Sequence, residues 1–249
     1  MYIFGRNAII EALSSGASIE KIFVAFSAQG EAINTIFSKA KKSNVPCVKF
    51  DGRKFAQLEK DVCPEGAKSQ GVIALIKQIE TISLFDLIRN SFKESTKPLL
   101  VALDGITDPH NLGAIARSAD CAGALGLIMQ EKNSAPLTPV AIKASAGALE
   151  HIPIAKTGNL GFALEQCKQS GYWIIGSDPA NGNDYTEKLY DRPIVLVIGS
   201  EGEGICAVTR KQCDVFVKIS MAGKINSLNS SVASGVLLFE ILRQKRENY

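Results

Sequence analysis

The sequence predicts an α/β protein with a mostly parallel sheet covered by helices on both faces. Its 249 residues exceed the roughly 100–200 of a common domain, so we expect one large or two unequal domains. Apolar strand-like stretches alternate with helical ones along the chain, which is the pattern of parallel βα units. No apolar run approaches the roughly 20 residues that cross a bilayer, so we expect no membrane partner.

The first predicted unit covers residues 1–77. A helix at "GRNAIIEALSSG" is closed by Gly16, and strands and helices then alternate from "KIFVAF" to "QGVIALI". These residues include 11 Lys and Arg against 7 Asp and Glu, a balance of +4, whereas residues 78–249 have 17 against 18. The excess of positive charge suits a phosphate-rich partner, although a solvated surface explains it equally well.

The second predicted unit covers residues 98–249, after a linker at 78–97 that contains a helix. It begins with a buried strand, "LLVALD", followed by a helix at 111–122 and a strand at 125–129. Later elements are a helix at 140–150, the strand "IPIAK", the helix "NLGFALEQCKQSG", the strands "YWIIGSD", "PIVLVIGSE" and "VFVKIS", and a long final helix.

Cysteine and histidine content argues against a metal site. The six cysteines form no C-x-x-C pair and only two histidines are present. We therefore expect reduced, mostly buried thiols and no catalytic metal. The first 16 residues lack the basic, apolar and small-residue order of a signal peptide, so we expect a cytoplasmic protein.

Three stretches carry chemical groups, and each lies at the carboxyl end of a predicted strand, where open α/β sheets bind ligands. They are 104–117, 197–205 and 219–235. The second has glycines spaced G-x-x-G-x-G, which is neither a dinucleotide fingerprint nor a phosphate loop. Within it, Glu201 is either a carboxylate directed at a ligand or a solvated turn residue.

The other two stretches combine helix starts with unusual side chains. Four polar residues crowd one start, at Ser227, Asn229, Ser230 and Ser231, although a single cap would suffice. Arg117 is a lone long cation among small helical residues. It either pairs with Asp120 at i,i+3 or serves the chemistry of the site.

Together the segments "DPHNLGAIARSA", "VIGSEGEGI" and "SLNSSVASGVLLFE" resemble the SpoU (TrmH-like) family of the SPOUT superfamily, which methylates ribose 2′-hydroxyls in RNA. The segments "FGRNAIIEAL" and "SAGALEHIPIA" are more similar to the RlmB group, which acts on a guanosine of 23S ribosomal RNA. Two positions depart from the family pattern: Ser220 replaces a usual proline and Asn226 a usual glutamate.

The resemblance implies a fold, a methyl donor and an assembly. The fold is the SPOUT α/β knot, with a deep C-terminal trefoil knot and a small N-terminal α/β domain similar to ribosomal RNA-binding proteins. S-adenosylmethionine is the expected donor and sits in the knot. Partners are RNA and a second copy of the chain, because family members are dimers whose active site draws on both subunits.

Residue roles are also carried over from the resemblance. Asn111, Arg117, Glu201 and Asn229 are the expected catalytic residues, and the backbones of Gly199, Ile219 and Leu228 the expected donor contacts. Arg117 acts either as the base or, as we favour, by stabilising charge on the 2′-oxygen, since a neutral guanidinium is costly. Alternatives to a 23S ribosomal RNA enzyme are a tRNA ribose methyltransferase and a non-catalytic RNA-binding relative.

Overall fold

The computed structural model describes residues 2–64, 66–77 and 79–247, with only the backbone of Ser15 and Glu247. The chain divides into two compact units, Met1–Ile79 and Glu80–Tyr249. The boundary lies two residues beyond the end of the first predicted domain, and it assigns most of the predicted linker to the second unit.

The N-terminal unit is built on a four-stranded sheet of order β1-β4-β2-β3. Strands β2 and β3 are parallel, whereas β4 runs antiparallel to both β1 and β2. Three-residue β1 was not predicted, because so short a strand shows no periodicity. The elements are β1 (Tyr2–Phe4), α1 (Arg6–Ser15), β2 (Ile19–Ala25), α2 (Glu31–Lys42), β3 (Cys47–Phe50), α3 (Gly52–Val62) and β4 (Val72–Ile76).

Two cores stabilise this unit, one of which contacts helices α1 and α2. That core holds fully buried aliphatic side chains such as Ile9, Ile22 and Ile36. The other is smaller and rich in aromatic rings, with Phe55 5% exposed and Phe23 and Phe50 packed at a ring separation of 5.1 Å.

The C-terminal unit has seven strands in the order β7-β6-β5-β10-β8-β11-β9, and all neighbouring pairs are parallel. This confirms the predicted parallel sheet. The central strands β5 and β10 are buried along their whole length. The elements are α4 (Leu84–Glu94), β5 (Leu99–Asp104), α5 (Pro109–Cys121), β6 (Leu127–Gln130), α6 (Pro139–Ala144), β7 (Ile154–Thr157), α7 (Leu160–Gln169), β8 (Trp173–Ser177), β9 (Asn183–Asp184), β10 (Ile194–Gly199), α8 (Ala207–Arg210), β11 (Val215–Lys218) and α9 (Ser230–Glu247).

Two expectations for this unit need correction. The helix predicted at 140–150 stops at Ala144, because Ala146 and Gly147 adopt positive φ angles of 49° and 92°, and only a short 3₁₀ turn follows. The predicted linker contains α4, whose Leu87 is 1% exposed and packs into the core of the second unit. Apolar residues at i, i+3 and i+4 in α4 explain why it belongs to that core.

Small residues let α5 approach its neighbours closely. Ala116 and Ala119 are fully buried. A Cβ atom on Gly113 would lie 2.5 Å from both the carbonyl oxygen of Ala141 and the Cβ of Ala144 in α6. On α9, a Cβ atom on Gly235 would meet only the Ser118 hydroxyl of α5, at 3.6 Å. The packing of α5 against α6 is therefore tighter than its packing against α9 at these glycines.

Some features are absent from the described part of the chain. No three His, Cys, Asp or Glu side chains there group closely enough to hold a metal ion. None of the described helices is long and apolar enough to cross a membrane. All six cysteines are free, but Cys167 alone among them is buried and Cys121 and Cys206 are exposed, so the expectation of mostly buried thiols is wrong.

Replacing Gly113 with Ala should destabilise the protein by about 1–2 kcal/mol, because overpacking outweighs the gain in helix propensity. Gly235→Ala should be neutral or stabilising by up to about 1 kcal/mol, since its Cβ fits. Thermal unfolding of the two variants checks this. Equal midpoints for both would show that α6 moves away without cost.

Candidate active site

The carboxyl ends of the parallel strands bring the three chemical stretches to one edge of the sheet. Gly199 at the end of β10 is in register with Asp104 at the end of β5. The Asp104 carboxylate is 4% exposed and accepts the backbone N–H of Cys206 at 2.8 Å. This hydrogen bond ties the loop after β10 to the neighbouring strand.

The glycine-rich stretch folds into a tight hairpin after β10. Ser200 and Gly204 exchange two backbone hydrogen bonds of 3.1 Å, and Gly202 and Gly204 have positive φ angles of 93° and 68°. A Cβ atom on Gly199 would overlap the backbone of Gly204 and lie 2.5 Å from the nitrogen of Ile205. Glycine at 199 is therefore required for the hairpin to fold back over its strand.

Three of the four predicted catalytic residues lie together, and we call Asn111, Glu201 and Asn229 the Asn–Glu–Asn cluster. The Glu201 carboxylate accepts hydrogen bonds from the Asn111 amide, at 2.6 Å, and from the Asn229 amide. The Asn229 amide also donates to the Asn111 carbonyl at 3.0 Å, and the Ser230 hydroxyl lies 3.5 Å from the carboxylate. The cluster joins all three stretches.

Asn229 performs two tasks with its two side-chain atoms. Its carbonyl oxygen accepts the backbone N–H groups of Ser231 and Val232, at 2.9 and 3.3 Å, and so caps α9. Its amide nitrogen joins the cluster. Because Asn111 lies in the first turn of α5, the positive ends of two helix dipoles approach the Glu201 carboxylate.

Arg117 does not join the cluster within the protomer. It lies six residues beyond Asn111, which on an α-helix turns it about 120° away. The side chain is exposed, and within the described ranges it forms no hydrogen bond or ion pair, with Asp120 or with any other residue. Its charge is therefore accessible to a molecule outside the protomer.

A cavity of about 480 Å³ adjoins the cluster, within the usual size range of ligand pockets. All three predicted donor contacts, Gly199, Ile219 and Leu228, line it, as do Glu201 and Asn229. Apolar side chains from two strands and α9 also line it, among them Ile198, Val217 and Leu237.

The cavity also contains an ion pair that the sequence motifs did not indicate. Asp178, 6% exposed, accepts hydrogen bonds from Arg210 at 2.8 Å and from the Ala180 N–H at 2.9 Å. Burial raises the pKa of Asp178, but these hydrogen bonds outweigh it and hold the pKa below its ordinary value. The position of Asp178 directly after β8, at the ligand-binding edge, was the signal that could have identified it.

The two departures from the family pattern lie on the exposed segment before α9. The Ser220 hydroxyl donates to the Asp184 carboxylate at 3.4 Å, so a side-chain hydrogen bond tethers the position where a proline is usual. Asn226 is exposed.

Comparisons with known proteins identify the family of this chain. Residues 98–239 match the SpoU rRNA Methylase family, and residues 2–82 match the domain described as RNA 2′-O ribose methyltransferase substrate binding. A Bacillus subtilis (strain 168) protein assigned to the TrmH family of tRNA/rRNA methyltransferases is 36% identical over 244 residues, covering 98% of this chain and 96% of the relative. A Staphylococcus haemolyticus relative that is assigned to the same family is 36% identical over 245 residues, covering 98% of this chain and 96% of the relative.

Solved structures share the fold. The SpoU methyltransferase AviRb from Streptomyces viridochromogenes, solved with AdoMet, superimposes with a TM-score of 0.64 at 23% identity, over 99% of this chain and 90% of AviRb. An rRNA methyltransferase from Sinorhizobium meliloti gives 0.63 at 25% identity, over 97% and 86% of the two chains. With a family match over more than half of its length and relatives 36% identical along nearly all of it, the chain belongs to the SpoU (TrmH) family of RNA 2′-O-ribose methyltransferases.

Proposed function

We propose that this enzyme uses S-adenosylmethionine to methylate the ribose 2′-hydroxyl of a guanosine in 23S ribosomal RNA. One observation carries the reaction: the cavity lined by Gly199, Ile219 and Leu228 adjoins the Asn–Glu–Asn cluster. Donor contacts and polar groups thus meet at the edge of the sheet where α/β proteins bind ligands.

The cavity suits the proposed donor in its chemistry. Its apolar side chains fit a purine ring, and its glycines let the backbone approach a ligand closely. When bound, S-adenosylmethionine supplies a methyl group on a positively charged sulfur. Three carboxylates, of Asp178, Glu201 and Glu203, line the cavity against two cations, Arg210 and Lys218, and this excess of negative charge favours a cationic ligand.

Arg117 is the residue we assign to the chemical step. A ribose hydroxyl becomes a strong nucleophile only as its proton leaves, so negative charge develops on the 2′-oxygen. A guanidinium stays protonated in proteins, so it stabilises that charge instead of accepting the proton. The proton passes to an RNA phosphate or to water. The Asn–Glu–Asn cluster positions the hairpin and the two helix starts around the reacting groups.

Ribosomal RNA is the substrate that the chain supports best. The N-terminal unit matches a substrate-binding domain, and residues 1–77 have the excess of positive charge. The guanosine assignment rests on the similarity of "FGRNAIIEAL" and "SAGALEHIPIA" to the RlmB group. A tRNA substrate is the second candidate, since the relatives are named for both RNAs. Free thiols and an RNA substrate support a cytoplasmic location.

A homodimer is part of the proposal. Val232 and Phe239 on α9 are each 51% exposed, and they lie two turns apart on one face of the helix. Helix α9 packs against α5, which carries Arg117, a residue without an ion-pair partner in the described part of the chain. A second subunit covering this apolar face would bring the exposed guanidinium into a shared site.

If the chain is a homodimer, light scattering should give a molecular mass in solution that is twice the 26.7 kDa of one chain.

The C-terminal trefoil knot and the ribosomal-protein-like N-terminal domain also belong to this proposal. After β11, near one side of the sheet, the chain returns past β8 and β10 to place α9 against α5. The returning segment lines the cavity together with the loops after β8 and β10. A knot requires in addition that this segment pass through a loop formed earlier in the chain, which is what the resemblance to the family implies.

Mapping 2′-O-methylation in cells with and without the gene tests the substrate. Because a methylated 2′-oxygen cannot attack the adjacent phosphate, the modified nucleotide resists alkaline cleavage. We expect one guanosine of 23S ribosomal RNA to lose this resistance when the gene is deleted. Loss at a tRNA nucleotide would favour the second candidate, and no loss in any RNA would favour a non-catalytic relative.

Gly199→Ala should weaken S-adenosylmethionine binding by about tenfold or more, equivalent to about 1.4 kcal/mol. The added Cβ overlaps the hairpin backbone, which must then shift. Calorimetric titration measures the affinity. Gly223→Ala is the matched control, because the added Cβ meets no atom within 4 Å. The affinity of this variant for S-adenosylmethionine should stay unchanged. Wild-type affinity in Gly199→Ala would contradict the assigned donor site.

Arg117→Ala should lower the single-turnover methylation rate by on the order of 10²–10³, while donor affinity stays unchanged. Its charge acts mainly once the 2′-oxygen becomes anionic, so its effect belongs to the transition state. Arg117→Lys should rescue poorly, because an ammonium does not reproduce the planar guanidinium.

Asp120→Ala is the control for this prediction, since no ion pair joins Asp120 to Arg117, and it should leave the rate unchanged. A rate above about a tenth of wild type in Arg117→Ala, well short of the usual loss, would remove Arg117 from the mechanism. Loss of donor binding with an intact fold would instead place it in the donor cavity.

A further inference from the structure

One edge of the N-terminal sheet gathers loops from several elements. Strands β2 and β3 end side by side there, with Ala25 in register with Phe50 and the Phe26 N–H donating to the Phe50 carbonyl at 2.9 Å. Strand β4 begins at the same edge, where the Gly5 N–H, just before α1, donates to the Val72 carbonyl at 3.2 Å. The starts of α1 and α3 and the segment after β2 therefore share this edge.

At this edge, Phe26 is an aromatic residue whose side chain is exposed to solvent. Its side chain is 65% exposed. By contrast, Phe23, Phe50 and Phe55 pack in the aromatic core of the unit. Phe26 belongs to neither core formed by the described residues of this unit. A single exposed ring is common on protein surfaces, so a second observation is needed to give it meaning.

Three cations at the same edge supply that observation. The Arg6 Nε donates a hydrogen bond to the Gln70 carbonyl at 3.1 Å. The segment that begins with Phe26 ends at Gly30, and a Cβ atom on Gly30 would lie 3.6 Å from the Arg6 Nη1. Arg53 and Lys54 are exposed in the first turn of α3, close along the chain to Phe50.

Two carboxylates near these cations leave an excess of positive charge. The Asp51 carboxylate accepts the backbone N–H groups of Arg53 and Lys54, both at 3.0 Å, and so caps α3. The other carboxylate, of Glu31, lies in the first turn of α2. Among the described residues, the side chains of Arg53 and Lys54 form no hydrogen bond or ion pair. Their charges therefore remain accessible to an anion.

We propose that this edge is a binding site for an unpaired nucleotide of the RNA substrate. The base stacks on the Phe26 ring, and Arg6, Arg53 and Lys54 contact the flanking phosphates. An exposed aromatic ring on an edge that also carries cations matches a single-stranded nucleotide, which presents a free base face and a charged backbone, whereas bases within a duplex are already stacked. The inference rests on the proposed function, because it takes RNA as the substrate.

The test uses the full chain and a 23S ribosomal RNA fragment that the wild-type enzyme methylates. Phe26→Ala should weaken binding of this fragment on the order of tenfold, the usual effect of removing one stacking platform. KM for RNA should rise in parallel, with kcat at saturating RNA and donor affinity unchanged. Phe26→Trp should restore binding, but Phe26→Leu should not, because stacking requires a π-face.

Phe85→Ala is the matched control. Phe85 is 70% exposed on α4 of the other unit, and the Arg89 guanidinium lies 5.6 Å from its ring centre, so exposure and a neighbouring cation are reproduced away from the proposed site. The affinity of the Phe85→Ala variant for RNA should equal that of the wild type.

Replacing both Arg53 and Lys54 with Ala should reduce the slope of log Kd against log salt by about 1.4–1.8, or 0.7–0.9 per lost phosphate contact.

The outcomes separate the two proposals. Wild-type affinity in Phe26→Ala, or equal weakening by Phe85→Ala, overturns the stacking site while methylation by the wild-type enzyme still supports the proposed function. Rescue by Phe26→Leu also overturns it, since the site would then need only an apolar side chain. A wild-type chain that methylates no ribosomal RNA fragment overturns the proposed function itself, and the inference with it.

Discussion

The Glu201 carboxylate is the interaction on which the active site depends. It accepts amide hydrogen bonds from Asn111 at the start of α5 and from Asn229 at the start of α9. Glu201 and Asn229 lie 90 and 118 positions after Asn111 in the chain, and these hydrogen bonds hold both of them next to it. Because the carboxylate itself is exposed, the stabilisation comes from charge-assisted hydrogen bonds and two helix dipoles rather than from burial.

The position of Glu201 depends in turn on the backbone beneath it. Gly199 permits the hairpin to fold back, and the buried Asp104 carboxylate secures its far end through the Cys206 N–H. The same hairpin forms a wall of the cavity. One short stretch of irregular backbone therefore defines both the donor cavity and the polar cluster, while the parallel strands around it provide a rigid base.

The sequence predicted much of this architecture because the informative signals are local. Alternating strands and helices predicted the parallel sheet, and strand ends located the three chemical stretches. Strand order and the Asp178–Arg210 pair could not be predicted, because they depend on contacts between distant residues. The break at Ala146 was missed because alanine favours helix, and nothing in its side chain signals the positive φ angle that it adopts. Motif matching placed Arg117 with Asn111, yet helix geometry separates their side chains within one protomer.

The double use of Asn229 restricts which residue can occupy that position. Serine, threonine and aspartate would cap α9 about as well, since each offers an oxygen to the free N–H groups. A serine or threonine hydroxyl would have to serve both the helix and Glu201 from a single oxygen, whereas Asn229 uses two separate atoms, and aspartate would set a second negative charge beside Glu201. Helix capping alone would thus permit four residue types here. The carboxylate across the site reduces them to asparagine, so the site itself selects the residue that starts the final helix.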